Sequence, residues 1–216
     1  MMKNIFKISL LVLSLFGCKN WKIEKVENKK DSIWNARVQL ISLYKTKIDS
    51  INKNLDWKKT NYVLWKSKNG DLGLKTQEGT EQEITIDKYI STICCEGESL
   101  KSVIDTLTFE FLGSSFYKDK NHIYTHFTMI DGGNFSIIEN ADVKTFRIIG
   151  DCYAKDKNYI YGERALKMDS VDYKTFKTKK GCGCYAKDKN GIYFWDFKID
   201  LKDIEDSKLR EILEKL

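Results

Sequence analysis

The chain has 216 residues, and 37 Lys and Arg against 31 Asp and Glu give a formal net charge of +6 at pH 7. The excess is modest and its lysines are spread along the chain rather than gathered in a block, which argues against a nucleic-acid footprint and against a nucleic-acid partner. The length is enough to bury a substantial core as one domain, or as one repeat array with appendages.

The first element is residues 1–17. Lys3 and Lys7 supply a positive start, and Ile8 to Phe16 supplies a largely apolar run nine residues long. That is the length of a signal h-region and far short of the roughly 20 residues a spanning helix needs. The run ends at Leu15-Phe16-Gly17-Cys18, which resembles the cleavage box of bacterial lipoproteins, with Phe16 standing where a small residue is usual. The resemblance implies that Cys18 becomes the mature N-terminus and carries a diacylglycerol thioether and a fatty-acylated amine, of the palmitate kind. Several acyl chains hold a protein stably at a membrane where one does not. The alternative is an ordinary secretory signal, with Cys18 a free or paired thiol. Lys19, where Asp commonly retains lipoproteins at the inner membrane, favours the outer membrane, so the expected place is the bacterial cell envelope. Removing Lys3 and Lys7 takes the formal charge from +6 to +4.

Residues 18–30, rich in Lys, Glu and Asn, read as a solvated tether. Over residues 31–56 the apolar positions Trp34, Val38, Ile41, Tyr44, Ile48, Ile51 and Leu55 step by threes and fours, which predicts one face of an amphipathic helix with Asp31 or Ser32 as its cap. That face packs on the following sheet, or joins a second copy in a short coiled coil. Residues 57–110 read as strand-rich. Tyr62 to Trp65 and Leu72 to Lys75 flank Lys68-Asn69-Gly70-Asp71 in hairpin grammar. Glu83 to Ile86 is a candidate strand, and Leu107, Phe109 and Phe111 alternate with polar residues as a strand with one buried face does.

Residues 111–202 are organised by a repeat. An entry aromatic, a polar Asp-Lys-Asn turn and an Ile-Tyr exit recur from Tyr117, Tyr153 and Tyr185, at spacings of 36 and 32 residues. The exits run on through Ile123 to Ile130, Ile160 to Leu166 and Ile192 to Ile199. Between the hairpins, Asp142-Val143-Lys144-Thr145-Phe146 matches Asp172-Tyr173-Lys174-Thr175-Phe176, read as an Asp-capped turn with a Phe plug beneath it. Units of this length stack because none buries its apolar face alone, and three are too few to close a propeller. Residues 203–216 place Ile204, Leu209, Ile212, Leu213 and Leu216 at helical spacing, a capping helix. The fold class is therefore α+β and β-rich: an amphipathic helix, a hairpin region, three stacked hairpin units and a C-terminal helix.

The strings Asp119-Lys120-Asn121-His122-Ile123-Tyr124, Asp156-Lys157-Asn158-Tyr159-Ile160-Tyr161 and Asp188-Lys189-Asn190-Gly191-Ile192-Tyr193, with the interleaved Asp-x-x-Thr-Phe, resemble the DKNYY family of exported bacterial proteins. Ile stands in place of the family's first Tyr. The resemblance covers Phe111 to about Ile199; it implies a repeat scaffold and brings no catalytic residues.

Candidate chemistry is sparse. Export makes disulfides the default for Cys94, Cys95, Cys152, Cys182 and Cys184. Cys152 and Cys184 each precede an entry Tyr and hold equivalent places in neighbouring units. The competing scheme joins Cys94 or Cys95 to Cys182 or Cys184, and an odd count leaves one thiol over. C-C and C-x-C lack the usual zinc spacing, and no C-x-x-C suggests redox catalysis. His122 and His126 on one strand lie about 13 Å apart, too far for one metal ion. A calcium loop opening at Asp188 would need Glu where Ile199 stands. Gly181-Cys182-Gly183-Cys184 reads as a kinked entry to a strand, and no G-x-S-x-G, H-E-x-x-H or Walker loop occurs. No metal, cofactor or catalytic residue is therefore assigned.

The expected function is that of a non-enzymatic, envelope-anchored binding or interaction module, with an unidentified protein or glycan partner. The alternative is a hydrolase acting on envelope or surface glycans. The candidate contact surface is the part that differs between copies: His122, Tyr159 and Gly191 at the turns, with Phe194 and Trp195 at the last exit. Those aromatics equally suit the core of a small sheet. Association of copies through Trp34 to Leu55 is a further expectation.

Overall fold

The computed structural model describes residues 6–61, 63–81, 83–94, 97–164 and 166–216, with side chains from residue 31 onward except at 61 and 166. Tyr62 and Cys95 lie outside the described residues, and of Cys18 only the backbone is described.

The first helix, α1, runs Phe6–Leu55 and takes in residues 19–30. That stretch holds no Gly or Pro, and its Lys and Glu are good helix formers. α1 ends where Asp56 turns to φ 47 and donates its N–H to Asn52 O at 3.1 Å. Between Asp31 and Leu55 the half-buried positions are Val38, Ile41, Lys45, Ile48, Asn52 and Leu55, a stripe of period close to 3.6. Trp34, Tyr44 and Ile51, expected on the same face, are exposed. The docking face is narrower than the apolar pattern implied, because the Lys45 stem and the Asn52 amide occupy two of its positions. Asn52 Nδ2 donates to Asp87 O at 2.9 Å, fixing the helix to a strand edge.

The first sheet is an antiparallel meander of β1 (Lys58–Asn61), β2 (Leu64–Lys66), β3 (Leu72–Gly79) and β4 (Thr85–Ile90). The β2–β3 turn forms where expected: Gly70 adopts φ 83, and its N–H donates to Ser67 O at 2.9 Å. The strand expected at Glu83 to Ile86 begins at Thr85 instead, since Glu83 sits at φ 59, outside the extended region. The short helix α2 (Leu100–Val103) is capped by Ser99, whose hydroxyl accepts from Ser102 N at 3.2 Å.

Three antiparallel units follow. The first holds β5 (Glu110–Gly113), β6 (Phe116–Lys118), β7 (Ile123–Phe127) and β8 (Asn134–Ile137). The second holds β9 (Arg147–Ile148), β10 (Tyr153–Lys155), β11 (Ile160–Gly162) and β12 (Leu166–Lys167), and the third β13 (Tyr185–Asp188), β14 (Gly191–Phe194) and β15 (Phe197–Ile199). Register corrects the repeat by one residue. Tyr117 pairs with Tyr124 as Ala154 does with Tyr161 and Ala186 with Tyr193. The first-unit counterpart of Tyr153 and Tyr185 is therefore Phe116, and Tyr117 points to the opposite face. The exit strands are also shorter than their apolar runs: β14 stops where Trp195 turns to φ 54 and the chain folds back as β15.

The core is shared between neighbours. One buried cluster joins Leu64, Leu74 and Leu100 of the first sheet region to Tyr117, Tyr124 and Phe135 of the first unit. A second joins Phe116 and Ile123 to Phe146, Ala154 and Tyr161, and a third joins Tyr153 and Ile160 to Phe176 and Ala186. Each cluster is completed only by the next unit, which is why the units stack. The last helix, α3 (Ser207–Glu214), is capped by Asp206 and buries Leu213. Lys187 Nζ donates to Leu213 O and Glu214 O at 3.1 and 3.0 Å, tying α3 to the third unit.

Candidate functional site

The Asp of each Asp-Lys-Asn string is buried, at 1%, 2% and 6% exposure for Asp119, Asp156 and Asp188, so a purely solvated turn is ruled out. A buried carboxylate is tolerable only if its lone pairs are filled. In Asp156, Oδ1 accepts from Asn158 N at 2.7 Å and Tyr159 N at 2.8 Å, closing the turn. Its Oδ2 accepts from Asp142 N and from Tyr161 Oη, both at 2.8 Å. Asp119 repeats this with Asn121 N, His122 N, Asp105 N and Tyr124 Oη, and Asp188 with Asn190 N, Gly191 N, Asp172 N and Tyr193 Oη.

A second aspartate locks the first. Asp142 Oδ1 accepts from the N–H and hydroxyl of Thr145 at 2.9 and 2.8 Å, while Oδ2 pairs with Lys157 Nζ at 2.7 Å. Thr145 Oγ1 in turn accepts from Lys157 N at 3.0 Å. Asp172, Thr175 and Lys189 do the same, and so do Asp105, Thr108 and Lys120. Asp105-Thr106-Leu107-Thr108-Phe109 is thus a third Asp-x-x-Thr-Phe element. The strand expected through Leu107, Phe109 and Phe111 begins only at Glu110, as β5: Leu107 is 95% exposed and Phe109 2%, on a turn capped by Asp105. The signal was present as an Asp-x-x-Thr-Phe string 14 residues ahead of Asp119, the same interval as from Asp142 to Asp156.

The electrostatics follow from this geometry. The Lys157 ammonium and the Thr145 hydroxyl hold Asp142 down at about 2, and Lys189 and Thr175 hold Asp172 at about 2. Burial pushes Asp156 up, but N–H donors from Asp142, Asn158 and Tyr159 and the Tyr161 hydroxyl outweigh it and keep the carboxyl below its ordinary value. Burial first, then the neighbouring aspartate, raises Tyr124 and Tyr161 well above an ordinary phenol. These carboxylates stay ionised and these phenols stay protonated around neutrality, which suits a fixed hydrogen-bond clasp rather than proton transfer.

Beside the clasp lies a concavity. In the first unit a cavity of 320 Å³ is lined by Asn121, His122, Ile123 and the 137–141 segment with Glu139 and Asn140. In the second, a cavity of 140 Å³ is lined by Asn158, Tyr159, Ile160, Met168, Asp169, Val171 and Tyr173. The two are the same groove in successive units: Ile138 N donates to Ile123 O at 2.8 Å where Met168 N donates to Ile160 O at 2.9 Å. Each offers amide and carboxylate groups and a ring at the variable turn position over an apolar floor, and the second adds the Tyr173 ring. Tyr159 also has Lys167 Nζ 4.8 Å from its ring centroid, and that lysine pairs with Asp169 at 2.8 Å.

Gly191 holds the corresponding turn position of the third unit at φ 153, but the Lys198 stem lies over it, within 2.5 Å of where a Cβ would stand. Phe194 and Trp195 lie at the far end of the same hairpin, since Asp188 pairs with Gly191 and Tyr185 with Phe194. The Trp195 ring is covered by Arg164 at 3.7 Å, and Trp195 O accepts from Tyr153 Oη at 2.8 Å. The structure thus brings His122 and Tyr159 into equivalent grooves and separates Phe194 and Trp195 from them. Glu139 and Asp169 went unnoticed in the sequence, because the segments carrying them hold no motif.

Cys152 and Cys184 are joined by a disulfide with Cα atoms 5.0 Å apart. Among the described residues Cys94 is a half-buried free thiol and Cys182 a buried one. The Gly181–Cys184 entry is kinked, with Gly181 and Gly183 at φ 88 and 60 and both N–H groups donating to Asp151 Oδ2. His126 lies on β7, and burial pushes its imidazole below the ordinary value. Among the described residues, no helix is long and apolar enough to cross a membrane.

The fold and its clasps define a β-rich repeat protein, built by stacking one hairpin unit on the next. The DKNYY family model matches residues 3–165, about three-quarters of the chain, and the chain belongs to the DKNYY family. The match takes in the N-terminal part and the first two strings, whereas the motif resemblance began at Phe111; the third unit lies beyond the matched span. No curated protein and no solved structure matches the chain.

Proposed function

We propose that this chain is a non-enzymatic binding module of the bacterial cell envelope, and that its contact surface is the pair of equivalent grooves beside His122 and Tyr159. The observation that carries the reading is the division of labour within each unit. The buried Asp and Tyr groups, and the Thr beside them, repeat with the same partners, while the ring at the variable turn position changes from copy to copy. Variation confined to exposed concave positions on an invariant frame is how repeat arrays tune what they bind. A protein or a glycan fits these grooves in kind, since each combines an aromatic or imidazole ring with amide and carboxylate groups.

The anchor in this proposal is Cys18, lipidated after cleavage at Gly17, with the outer membrane as its destination. The lysine-flanked apolar run and the Leu15-Phe16-Gly17-Cys18 box support it. Copies also associate in this reading through the Trp34 to Leu55 stretch of α1, where Trp34, Tyr44 and Ile51 stand 47%, 38% and 42% exposed.

The groove reading is tested by placing a photo-crosslinking residue at 122, 159 or the exposed position 202 and irradiating intact cells. Adducts at 122 and 159, and none at 202, are expected. Equal labelling at all three positions contradicts it, and the chemistry of the adduct separates protein from glycan.

A further inference from the structure

At the end of the hairpins opposite the Asp-Lys-Asn turns, the second and third units are covalently joined. Cys152 and Cys184 occupy equivalent places, each with its carbonyl accepting from the residue after the exit strand: Glu163 N to Cys152 O at 2.9 Å, Trp195 N to Cys184 O at 2.8 Å. This register brings the Glu163 carboxylate and both sulfurs within 4.8 Å of one another. Glu163 is half-buried, and among the described residues no hydrogen bond or ion pair holds its carboxylate, on which the Arg164 charge acts only through space. Arg164, the adjacent cation, lays its guanidinium on Trp195 at 3.7 Å and Phe127 at 5.4 Å. A partly desolvated carboxylate with open lone pairs beside two sulfurs is a poor structural element and a good ligand.

We propose that, once the disulfide is reduced, Cys152, Cys184 and Glu163 bind one thiophilic divalent cation, zinc by preference. Zn–S distances of about 2.3 Å and Zn–O distances of about 2.0–2.2 Å place donors around one ion roughly 3.5–4 Å apart. To meet that requirement the sulfurs must separate once their bond is broken, which Cα atoms 5.0 Å apart allow by side-chain rotation, and the Glu163 oxygen must close on them from within 4.8 Å. Two thiolates and one carboxylate select zinc over magnesium or calcium, which prefer all-oxygen shells. Three protein ligands leave the fourth tetrahedral position for water or an exogenous donor.

The redox step balances with a dithiol as reductant. The dithiol gives two electrons and two protons, the Cys152–Cys184 bond breaks to two thiols, and the reductant closes to its own disulfide. Zinc binding then releases the two thiol protons to solvent. The oxidised chain has no thiolate at either position, so the site exists in one redox state only and does not depend on what the grooves bind.

The test uses the full mature chain, reduced with a dithiol, desalted without air and titrated with zinc against a chromophoric chelator. Reduced wild type is expected to take up one zinc ion more than oxidised wild type. The Cys152→Ser/Cys184→Ser double variant should lose that ion, and Glu163→Gln should weaken it by about tenfold or more. Cobalt in place of zinc should give a thiolate-to-metal charge-transfer band that the double variant lacks. Equal uptake by reduced wild type and the double variant would assign the metal to other cysteines and overturn the proposal. Unchanged affinity in Glu163→Gln, which keeps both cysteines and the disulfide-closed fold, would overturn it too.

Discussion

Replacing Asp156 by Asn isolates the clasp, because the two side chains have the same shape and differ in what their second atom can do. Asp156 Oδ1 can keep its bonds from Asn158 N and Tyr159 N. The new amide nitrogen, a donor, then faces Asp142 N, which can only donate, and Tyr161 Oη, which must turn its proton away to accept, so both bonds to the charged oxygen are lost; each was 2.8 Å. Hydrogen bonds to a charged partner contribute about 1.5–3 kcal/mol each, so two lost bonds amount to about 3–6 kcal/mol. Removing a buried charge returns part of this, leaving a net destabilisation of about 3 kcal/mol. For a chain of this size, that lowers the thermal midpoint by about 6–12 °C. Tyr161→Phe removes one donor and leaves Oδ2 with Asp142 N, so about 1–2 kcal/mol is expected. The two changes share a bond, so the double variant should be less destabilised than the sum. Urea denaturation followed by circular dichroism measures all three. A loss below about 1 kcal/mol in Asp156→Asn, or strict additivity with Tyr161→Phe, would refute the clasp as a stabilising unit.

The outer carboxylates set a pH dependence. Asp142 and Asp172 are held at about 2 in the folded chain against about 3.9 unfolded, so their stabilisation is complete above pH 4 and is lost as pH falls towards 2; acid titration of the midpoint checks this. Reducing Cys152–Cys184, which closes a separation of 32 residues, should cost about 3–4 kcal/mol, read as a lower denaturation midpoint with reductant than without. Phe146→Ala empties the plug between Phe116 and Tyr161 and should destabilise by about 3–5 kcal/mol in the same assay. Cys18→Ser should remove acyl mass from the mature chain and release it from membrane fractions; unchanged partitioning refutes lipidation.

The repeat was legible because its grammar is local. Asp, Asn and Lys define the turn, Ile and Tyr the strand, and the interleaved Asp and Phe the capped plug, and all three clasps form where those residues stand. Two errors came from patterns that mimic one another. Leu107, Phe109 and Phe111 alternate as a strand does, yet Asp105 captures the Thr108 N–H and hydroxyl and bends the backbone into a turn first. Tyr117 passes for an entry aromatic, but pairing with Tyr124 puts it where the later units carry Ala154 and Ala186. The α1 face was misjudged for a related reason, since the Lys45 stem and the Asn52 amide pack where a hydropathy pattern expects apolar side chains. The grooves were half legible. His122 and Tyr159 stood out as the variable turn residues, whereas Glu139 and Asp169 reach the same cavities from segments with no motif. Glu163 had no signal at all, because its meeting with two cysteines depends on how neighbouring units register.

The claim that the aspartate strings build the frame while the groove rings make the contact is tested most directly by His122→Ala/Tyr159→Ala. Both side chains lie outside the buried clusters, so the thermal midpoint should stay within about 2 °C of wild type, while crosslinked capture of the partner from intact cells is lost. Capture that persists at an unchanged midpoint would contradict the account.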